Sequence, residues 1–396
     1  MAVKEIRVAD CDNAEFQLQF DNEAMALQAI RDLNHRNIIQ WIAAFTRGTG
    51  HYLIFPWADG GSLRDFWKEV QPLTMDIDGI RNLVSEMLHQ FRGLTDAFVK
   101  MHLEKKYRHG DVKPENILRF SDGKTTTGIL KIADFGLAKQ HNGSTVLRGP
   151  TATRHTTFQY ESPEAEEAMH GVSALSRLSD IWSLGCVLLE HIVWLLYGSD
   201  EAKRFGENLN GSIQNVGPAP FYIRRAAGVA IINPQVNRWI AHMKQDPVGG
   251  NGTAIGALLS IIQNNMLTAG PLRSHWDSEK TVDPVAGPVT PQPGTRATAK
   301  ELLCLIDKII ADTNKSESGK QYLFKDFGTT QGQPGRKARG LPDDTNIPLP
   351  IRSMPPQQDL LSPLAAAVRP LPKLTGAKSS SPPPVKIEMV RQLNCP

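Results

Sequence analysis

Four polar side chains in two short strings have the types and the order that phosphoryl transfer from a nucleotide requires. Residues 109–118 read HGDVKPENIL, and the string DFG begins eighteen residues after Asn116, at Asp134. A carboxylate such as Asp111 can orient an attacking hydroxyl, and a cation such as Lys113 can contact the transferred phosphate. Asn116 and Asp134 carry the hard oxygen atoms that magnesium prefers, and two protein ligands suffice because magnesium keeps several waters. The strings therefore predict a magnesium-dependent phosphoryl-transfer site.

The elements that must position these strings can be read from the spacing of apolar residues. Residues 1–55 mix short apolar runs with one helical stretch at 20–33, which predicts a small α/β unit. Residues 107–164, which contain both strings, read as short strands and loops, and 277–295 reads as a Pro/Gly loop. Outside these regions, apolar residues recur at helical spacing in five segments: 80–103, 178–197, 236–243, 254–266 and 298–311.

Composition excludes several classes of protein. The 44 Lys and Arg against 41 Asp and Glu give a net charge of +3, which does not favour nucleic acid or an anionic membrane as a partner. The four cysteines lie far apart without a CxxC pair, so neither a disulfide framework nor a structural zinc site is indicated. The most apolar run, 181–196, contains Glu190 and His191 and predicts a buried helix. These features predict an intracellular protein, cytoplasmic or nuclear, without a membrane span.

The composition changes after about residue 312. Residues 313–396 hold 13 of the 27 prolines, with Ser, Gly and Gln clusters and few consecutive apolar residues. They also hold 12 Lys and Arg against 6 Asp and Glu, whereas the preceding body is slightly acidic. Such a segment buries too little apolar surface to offset its ordering entropy. It is predicted to be a disordered tail, either merely solvated or serving as a docking segment for a partner.

With these strings in order, residues 1–312 resemble the eukaryotic protein kinase family, in its serine/threonine type. AVK, ending at Lys4, is similar to the strand that carries the lysine for the nucleotide's α and β phosphates. Glu23, in the helical stretch, resembles the glutamate that pairs with that lysine. YLIFPWADGGSL resembles the segment that joins the family's two lobes, which implies that Phe55, Trp57 and Ala58 line the adenine pocket.

The resemblance extends to four further positions that the family uses for structure and substrate positioning. SPE ends at Glu164 where the family has APE, and Asp180 in DIWSLG matches the aspartate of the family's central helix. Arg296, in GTRATAKELL, matches the late arginine that pairs with the glutamate corresponding to Glu164. Thr157 resembles the threonine that contacts the catalytic aspartate and lysine. Lys113, two residues after Asp111, is typical of the serine/threonine type.

Two departures from the family pattern bear on function. The family's glycine-rich loop should precede Lys4, and only Met1, Ala2 and Val3 stand there. This makes nucleotide affinity the weakest part of the resemblance, because amides of that loop cover the phosphates. Gly110 stands where many members have an arginine that pairs with a phosphorylated residue. Activity is therefore expected to depend less on such phosphorylation.

The resemblance implies an α+β, two-lobed kinase-like fold with a truncated N-terminal β lobe and a mainly helical C-terminal lobe. The expected divisions are a partial N-lobe at 1–55, the hinge and C-lobe at 56–312, and the tail at 313–396. The implied activity is transfer of the ATP γ-phosphate to Ser and Thr hydroxyls of protein substrates, with ATP and Mg²⁺ as cofactors. The alternative is a non-catalytic, pseudokinase-like interaction module or an incomplete kinase fragment.

Overall fold

The computed structural model describes residues 1–6, 24–47, 50–135, 139–140, 158–169, 175–210, 219–225, 228–270, 291 and 294–325. These residues form a small lobe, with one sheet and one helix, and a larger, mainly helical lobe. The connection between the lobes follows Phe55, at the end of the last strand of the small lobe. The chain therefore has the two-lobed architecture that the resemblance implies.

The small lobe contains a three-stranded antiparallel sheet. Strands β1 (Ala2–Ile6), β2 (Ala43–Arg47) and β3 (Gly50–Phe55) lie in the order β1-β3-β2. Lys4 lies opposite Leu53 in the register of β1 and β3. Helix α1 (24–31) buries its apolar face in the core, as the helical spacing predicts. Strand β1, and with it Lys4, is held by pairing with β3, the strand that leads into the larger lobe.

The larger lobe is built from helices whose starts are capped by polar side chains. Ser62, Asp76, Thr253 and Thr298 each accept a hydrogen bond from a backbone N–H in the first helical turn. Helix α8 (Ala254–Ile261) continues as a π-helical turn, Ile262–Met266. The helices are α2 Leu63–Glu69, α3 Ile77–Leu103, α4 Pro163–Met169, α5 Leu178–Tyr197, α6 Ser199–Leu209, α7 Pro234–Lys244, α8 Ala254–Ile261, α9 Ala299–Thr313 and α10 Ser316–Leu323.

Short hairpin-like pairs of strands frame the residues that could do chemistry. β4 (Tyr107–Arg108) pairs with β7 (Lys139–Gln140), and β5 (Ile117–Phe120) pairs with β6 (Ile129–Ile132). The loop 109–116 leaves β4 and enters β5, while 133–135 follow β6. A third pair, β8 (Tyr222–Arg224) and β9 (Ala230–Ile232), lies farther along the chain. The strands thus bring the two sequence strings to one place.

Helix α5 is the centre of the core. All of its residues except Ser183 are buried, which agrees with the apolar composition that predicted a buried helix with these bounds. Within the described ranges it is the one helix long and apolar enough to cross a membrane, but 94% of its apolar window is buried in the protein. It therefore has the environment of a core helix, and its few polar side chains must find partners inside the protein.

Residues 37–39 join the small lobe to the larger one. The Asn37 side-chain amide donates to the carbonyl of Leu130 (2.7 Å), and the Asn37 backbone carbonyl accepts from the Ile132 N–H (2.8 Å). Ile39 N–H donates to the Ile132 carbonyl (2.9 Å), so this segment extends β6 by a parallel bridge. The end of β6, two residues before Asp134, is therefore held from both lobes.

The packed body extends beyond the predicted boundary at residue 312. That boundary falls one residue before the end of α9, and helix α10 follows within the predicted tail. Phe324 is buried, its carbonyl accepts from Arg81 Nε (3.1 Å), and the Lys325 N–H donates to the Val248 carbonyl (3.0 Å). Residues 313–325 therefore belong to the folded body. The predicted tail at 326–396 lies outside the described residues.

Gly93 in α3 lies directly against Asn37, and we predict that Gly93→Ala destabilises the protein. An added Cβ would lie 2.4 Å from Asn37 Oδ1, and the amide is already fixed by its bond to Leu130. The expected loss is about 1–3 kcal/mol in the free energy of unfolding, measured by denaturant titration. Gly206→Ala in α6 is the matched control, because its Cβ would meet nothing closer than 3.7 Å. It should stabilise by about 0.5–1 kcal/mol. Equal stability of Gly93→Ala and the unaltered protein would contradict this packing argument.

Candidate active site

Asp111 and Lys113 lie together on the loop between β4 and β5. Lys113 Nζ is 2.7 Å from Asp111 Oδ2, and the two side chains are 19% and 11% exposed. The Asn116 side-chain amide donates to the Asp111 backbone carbonyl (2.8 Å) and to Oδ2 (2.9 Å). Both amide hydrogens are then used, which leaves the Asn116 Oδ1 oxygen as its ligand atom. The loop thus holds a carboxylate, a cation and a hard oxygen in contact with one another.

The buried carboxylate of Asp180, in α5, binds the backbone of the loop at 109–110. Asp180 Oδ2 accepts the His109 N–H (2.9 Å) and Oδ1 accepts the Gly110 N–H (2.9 Å). His102 Nε2, at the end of α3, is 2.8 Å from Oδ2. Burial acts to raise the Asp180 pKa, but the His102 hydrogen bond, the neighbouring imidazoles and the Gly110 amide together hold the pKa below its usual value. Asp180 is therefore an ionised anchor for the loop backbone.

His109 connects this loop to the DFG string. Its Nδ1 accepts the Asp111 N–H (3.2 Å), so the proton lies on Nε2, which donates to the Ala133 carbonyl (3.0 Å). The ring also packs edge-on against Phe135, with centroids 5.0 Å apart. His109 therefore acts as a structural link between the two strings.

Asp134 is fixed in an uncommon backbone conformation next to Asn116. Its φ is +65°, in the left-handed region that few residues other than glycine adopt. The preceding residue, Ala133, donates its N–H to the Asn116 carbonyl (2.9 Å), which places the two candidate metal ligands on adjacent backbone segments. Among the described residues no group of three or more His, Cys, Asp or Glu is placed so that it could hold a metal ion. An amide and one carboxylate suit magnesium, which requires few protein ligands.

Lys4 reaches this site from the small lobe. Its Nζ is 2.9 Å from Asp134 Oδ1, with side-chain exposures of 18% and 32%. The cation expected at the nucleotide phosphates thus lies beside the carboxylate expected at the metal. The contact with Asp134 was not predicted, and the expected partner of Lys4, Glu23, lies outside the described residues, as do Gly136 and Thr157.

The segment between the lobes starts at the strand that pairs with β1. Phe55 lies opposite Ala2 in the β1–β3 register, two positions from the Lys4–Leu53 pair. Phe55 is partly buried against the core, and Trp57 is 38% exposed. Ala58 is joined to Gly61 by a turn hydrogen bond (3.2 Å) just before α2. Lys4 and the predicted adenine-binding residues are thus brought to the same end of the sheet.

Glu164 and Arg296 form an ion pair outside the loop at 109–116. Arg296 Nη1 contacts Glu164 Oε1, and Nη2 lies 3.3 Å from Oε2 and donates to the Thr268 carbonyl (2.8 Å). The guanidinium also lies 5.0 Å from the centre of the Trp182 ring. Because the Arg296 side chain is 1% exposed, the pair fixes α4 to the core.

Sequence reasoning did not identify the partners of these groups. His102, which supports Asp180, and Arg64, which contacts Glu190, were not among the candidate residues. The polar residues inside the apolar run of α5 were the available signal, since each buried carboxylate requires a partner. Their partners could not be located because they lie 78 and 126 residues away in sequence.

Comparison with known proteins gives one family. A family model described as the protein kinase domain matches residues 1–304. Curated relatives include the cytokinesis protein sepH of Aspergillus terreus, 28% identical over 193 residues, and the serine/threonine-protein kinase BCK1/SLK1/SSP31 of Saccharomyces cerevisiae, 29% identical over 196. Each alignment covers 48% of this chain. Mitogen-activated protein kinase kinase kinase 6 of Homo sapiens is 31% identical over 170 residues, or 43% of this chain. The matched part spans only 12% of each relative.

We predict that Asp180→Asn strongly destabilises the protein, because an amide cannot accept all the hydrogen bonds that the carboxylate accepts. The expected loss is about 3–5 kcal/mol in the free energy of unfolding, as for a broken buried ion pair. Asp96→Asn is the matched control, since Asp96 also bonds a histidine, His35 (3.1 Å), but is 30% exposed. It should cost less than about 1 kcal/mol. Similar losses in the two variants, measured by denaturant titration, would show that Asp180 is not the anchor.

Proposed function

Because this chain belongs to the protein kinase domain family, we propose that it transfers the γ-phosphate of ATP to Ser and Thr hydroxyls of protein substrates. The contact of Lys113 and Asn116 with the Asp111 carboxylate, next to Asp134, carries the proposal. This set supplies a proton acceptor, a cation and two hard oxygen ligands at one place. The Ser/Thr preference is supported by Lys113 in the loop and by the similarity to BCK1/SLK1/SSP31, which is named a serine/threonine-protein kinase.

Each group in the site has a chemical role in this proposal. Asp111 orients the acceptor hydroxyl and takes its proton, and Lys113 stabilises negative charge on the transferred phosphate. Asn116 Oδ1 and the Asp134 carboxylate would hold magnesium, which when bound neutralises phosphate charge. Lys4 contacts the nucleotide phosphates, with Glu23 as its second partner. Phe55, Trp57 and Ala58 line the adenine site.

Residues outside the reacting groups have positioning roles. Asp180 fixes the loop backbone, while Glu164 and Arg296 fix the segment that follows the acceptor site. From the family resemblance, Thr157 is proposed to position Asp111 and Lys113.

The proposed setting is intracellular, cytoplasmic or nuclear, where ATP and protein substrates are available. The near balance of charge over the whole chain supports a protein partner, without nucleic acid or a membrane. The Pro-rich segment beyond the packed body is proposed as a docking segment for a partner.

We predict that Asp111→Asn lowers kcat by about 10²- to 10⁴-fold, the usual contribution of a positioned proton acceptor. Nucleotide affinity, measured by calorimetry, should change little, because Asp111 contacts the acceptor. Phosphorylation of a generic Ser/Thr peptide is followed with radiolabelled ATP, using residues 1–396 and the same chain extended upstream by two strands with a glycine-rich loop. Asp307→Asn, a partly exposed carboxylate on α9, is the control for loss of one negative charge.

The same assay separates the proposal from its alternative. Unchanged turnover in Asp111→Asn would refute the role of Asp111. A folded, extended chain that transfers no phosphate to any Ser/Thr peptide would favour the non-catalytic interaction module.

Asp134→Asn should act differently from Asp111→Asn. It removes the charge of a metal ligand, so we expect weaker magnesium-nucleotide binding and a higher magnesium concentration at half-maximal rate. Titration of the rate with magnesium, with Asp307→Asn as the control, measures this. An unchanged magnesium requirement would rule Asp134 out as a metal ligand.

A further inference from the structure

A guanidinium from the β8–β9 hairpin binds the backbone at the start of α4, and the proposed reaction assigns it no role. Arg224, the last residue of β8, donates through Nη2 to the carbonyl of Pro163 (2.7 Å), the first residue of α4. Its Nη1 donates to the carbonyl of Gly228 (2.8 Å), in the turn of the hairpin. One side chain therefore connects the hairpin turn to α4.

The bond from Arg224 to Pro163 is not a helix cap. The first residues of a helix lack partners for their N–H groups, whereas their carbonyls can accept hydrogen bonds within the helix. A cation near a helix N-terminus also opposes the helix dipole. The bond therefore does not serve the local stability of α4. A charged donor on this carbonyl instead fixes the position of the backbone, because hydrogen bonds from ionised groups are the stronger ones.

The same end of α4 is bound from the core by the pair of Glu164 and Arg296. The Arg296 guanidinium lies 5.0 Å from the centre of the Trp182 ring, and Trp182 meets Tyr222 edge-on, with centroids 6.1 Å apart. Tyr222 is in β8, and its ring centre lies 5.9 Å from the Arg224 guanidinium. The contacts therefore form a closed ring, from the hairpin through α4 and α5 back to the hairpin.

The base of the hairpin is fixed in the core. Asn233, which follows β9, is 0% exposed. Its side-chain amide donates to the carbonyl of Leu209 (3.0 Å), at the end of α6, and its N–H donates to the carbonyl of Phe221 (2.9 Å). Phe221 and Tyr222, at the start of the hairpin, are buried as well. The hairpin is thus a rigid support that presents Arg224 at a defined place.

Residues 158–165, which the hairpin contacts, are connected to the loop between β4 and β5. The Phe221 ring lies 6.2 Å from the Tyr160 ring, so the hairpin meets this segment at a second point. The Tyr160 hydroxyl contacts Arg64, whose Nε donates to Glu115 Oε1 (2.9 Å) in that loop. The hairpin is therefore linked, through this segment, to the loop that carries the groups proposed to react.

We infer that Arg224 is a positioning residue, through which the β8–β9 hairpin holds residues 158–165 in place for the acceptor. This inference rests on the proposed kinase function, in which that segment follows the acceptor site. When the bond to Pro163 is lost, the segment adopts other positions for part of the time, and only the competent fraction binds an acceptor peptide. Nucleotide binding is expected to stay the same, because the groups proposed for it lie on other elements.

Hydrogen exchange of residues 1–396, followed by mass spectrometry, tests the contact of the hairpin with the segment. Arg224→Gln should speed the exchange of the amides of 158–169 by about tenfold or more, the effect of losing one hydrogen bond from a charged group. Exchange in α3 should not change, because the effect is local. Arg224→Lys, which can still donate to Pro163, should restore most of the protection.

Arg92→Gln is the charge-matched control for the loss of one cation. Arg92 in α3 donates to Asp307 in α9 (2.8 Å), and neither residue contributes to the ring of contacts. Its exchange at 158–169 should equal that of the unaltered protein.

A pair of glycine variants tests the same link without altering the guanidinium, and keeps the test decisive if Arg224→Gln does not fold. Gly228 has φ +77°, and Gly123, between β5 and β6, has φ +67°, and an added Cβ meets no atom within 4 Å at either position. Alanine therefore strains both turns to a similar degree. Gly228→Ala should speed exchange at 158–169, because the Gly228 carbonyl binds Arg224. Gly123→Ala should not.

Steady-state kinetics separate positioning from a general loss of stability. With radiolabelled ATP, residues 1–396 and the extended chain, Arg224→Gln should raise KM for the Ser/Thr peptide about threefold or more, while KM for ATP stays within about twofold. A smaller folded fraction would instead lower kcat and leave both KM values unchanged. Arg224→Lys should return KM for the peptide toward that of the unaltered protein.

The two readouts distinguish failure of this inference from failure of the proposed function. Equal exchange at 158–169 in Arg224→Gln and the unaltered protein, faster exchange throughout the protein, or an unchanged KM for a phosphorylated peptide would overturn the inference and leave the kinase assignment in place. If exchange responds as expected while the unaltered extended chain phosphorylates no peptide, the hairpin does hold the segment and the proposed reaction is wrong.

Discussion

The site depends on one buried carboxylate, Asp180. It accepts hydrogen bonds from the N–H groups of two successive loop residues and contacts the His102 imidazole. The backbone that leads to Asp111 is therefore fixed at two consecutive residues. One of the two loop residues, Gly110, has φ +87°, which glycine adopts without the cost that a side chain would impose. The His109 side chain donates a hydrogen bond to the carbonyl of Ala133, next to Asp134, and so links the loop to the DFG string. The relative positions of both chemical strings therefore follow from a single anchor in the core helix.

Helix α5 carries a second buried carboxylate, Glu190, ten residues after Asp180. At 1.5 Å per residue the two lie about 15 Å apart along a rigid axis. The first orders the groups proposed to react, and the second binds Arg64 of α2, which also contacts Glu115. Each carboxylate is buried and each has a cationic or hydrogen-bonding partner from another helix, as buried charges require. A mainly apolar helix thus holds both the loop at Asp111 and the helix α2 that carries Arg64.

The helices that could be predicted from the sequence are those with a long, regular spacing of apolar residues. The bounds of α5 agree with the prediction, and α3 begins three residues earlier than predicted because Asp76 caps it. Short elements such as α2 and the β8–β9 pair lack enough residues to show a period. The packed body continues past residue 312 because a few apolar side chains within a polar stretch, Tyr322, Leu323 and Phe324, pack against the core. Contacts such as Arg64 with Glu190 depend on tertiary packing, which spacing along the chain does not encode.

The chemistry of the cations separates the groups that a reaction must rearrange from those that hold the fold. The pairs at the groups proposed to react, Lys4 with Asp134 and Lys113 with Asp111, use a flexible ammonium and are partly exposed. A lysine can turn its three donors to a new anion at little cost, since its compact charge sits on a rotatable stem. Arg296, by contrast, is buried and binds Glu164 through both terminal nitrogens. A planar fork of this kind cannot exchange its partner without losing two bonds, so phosphate can displace the carboxylates at the lysines while the arginine pair stays in place.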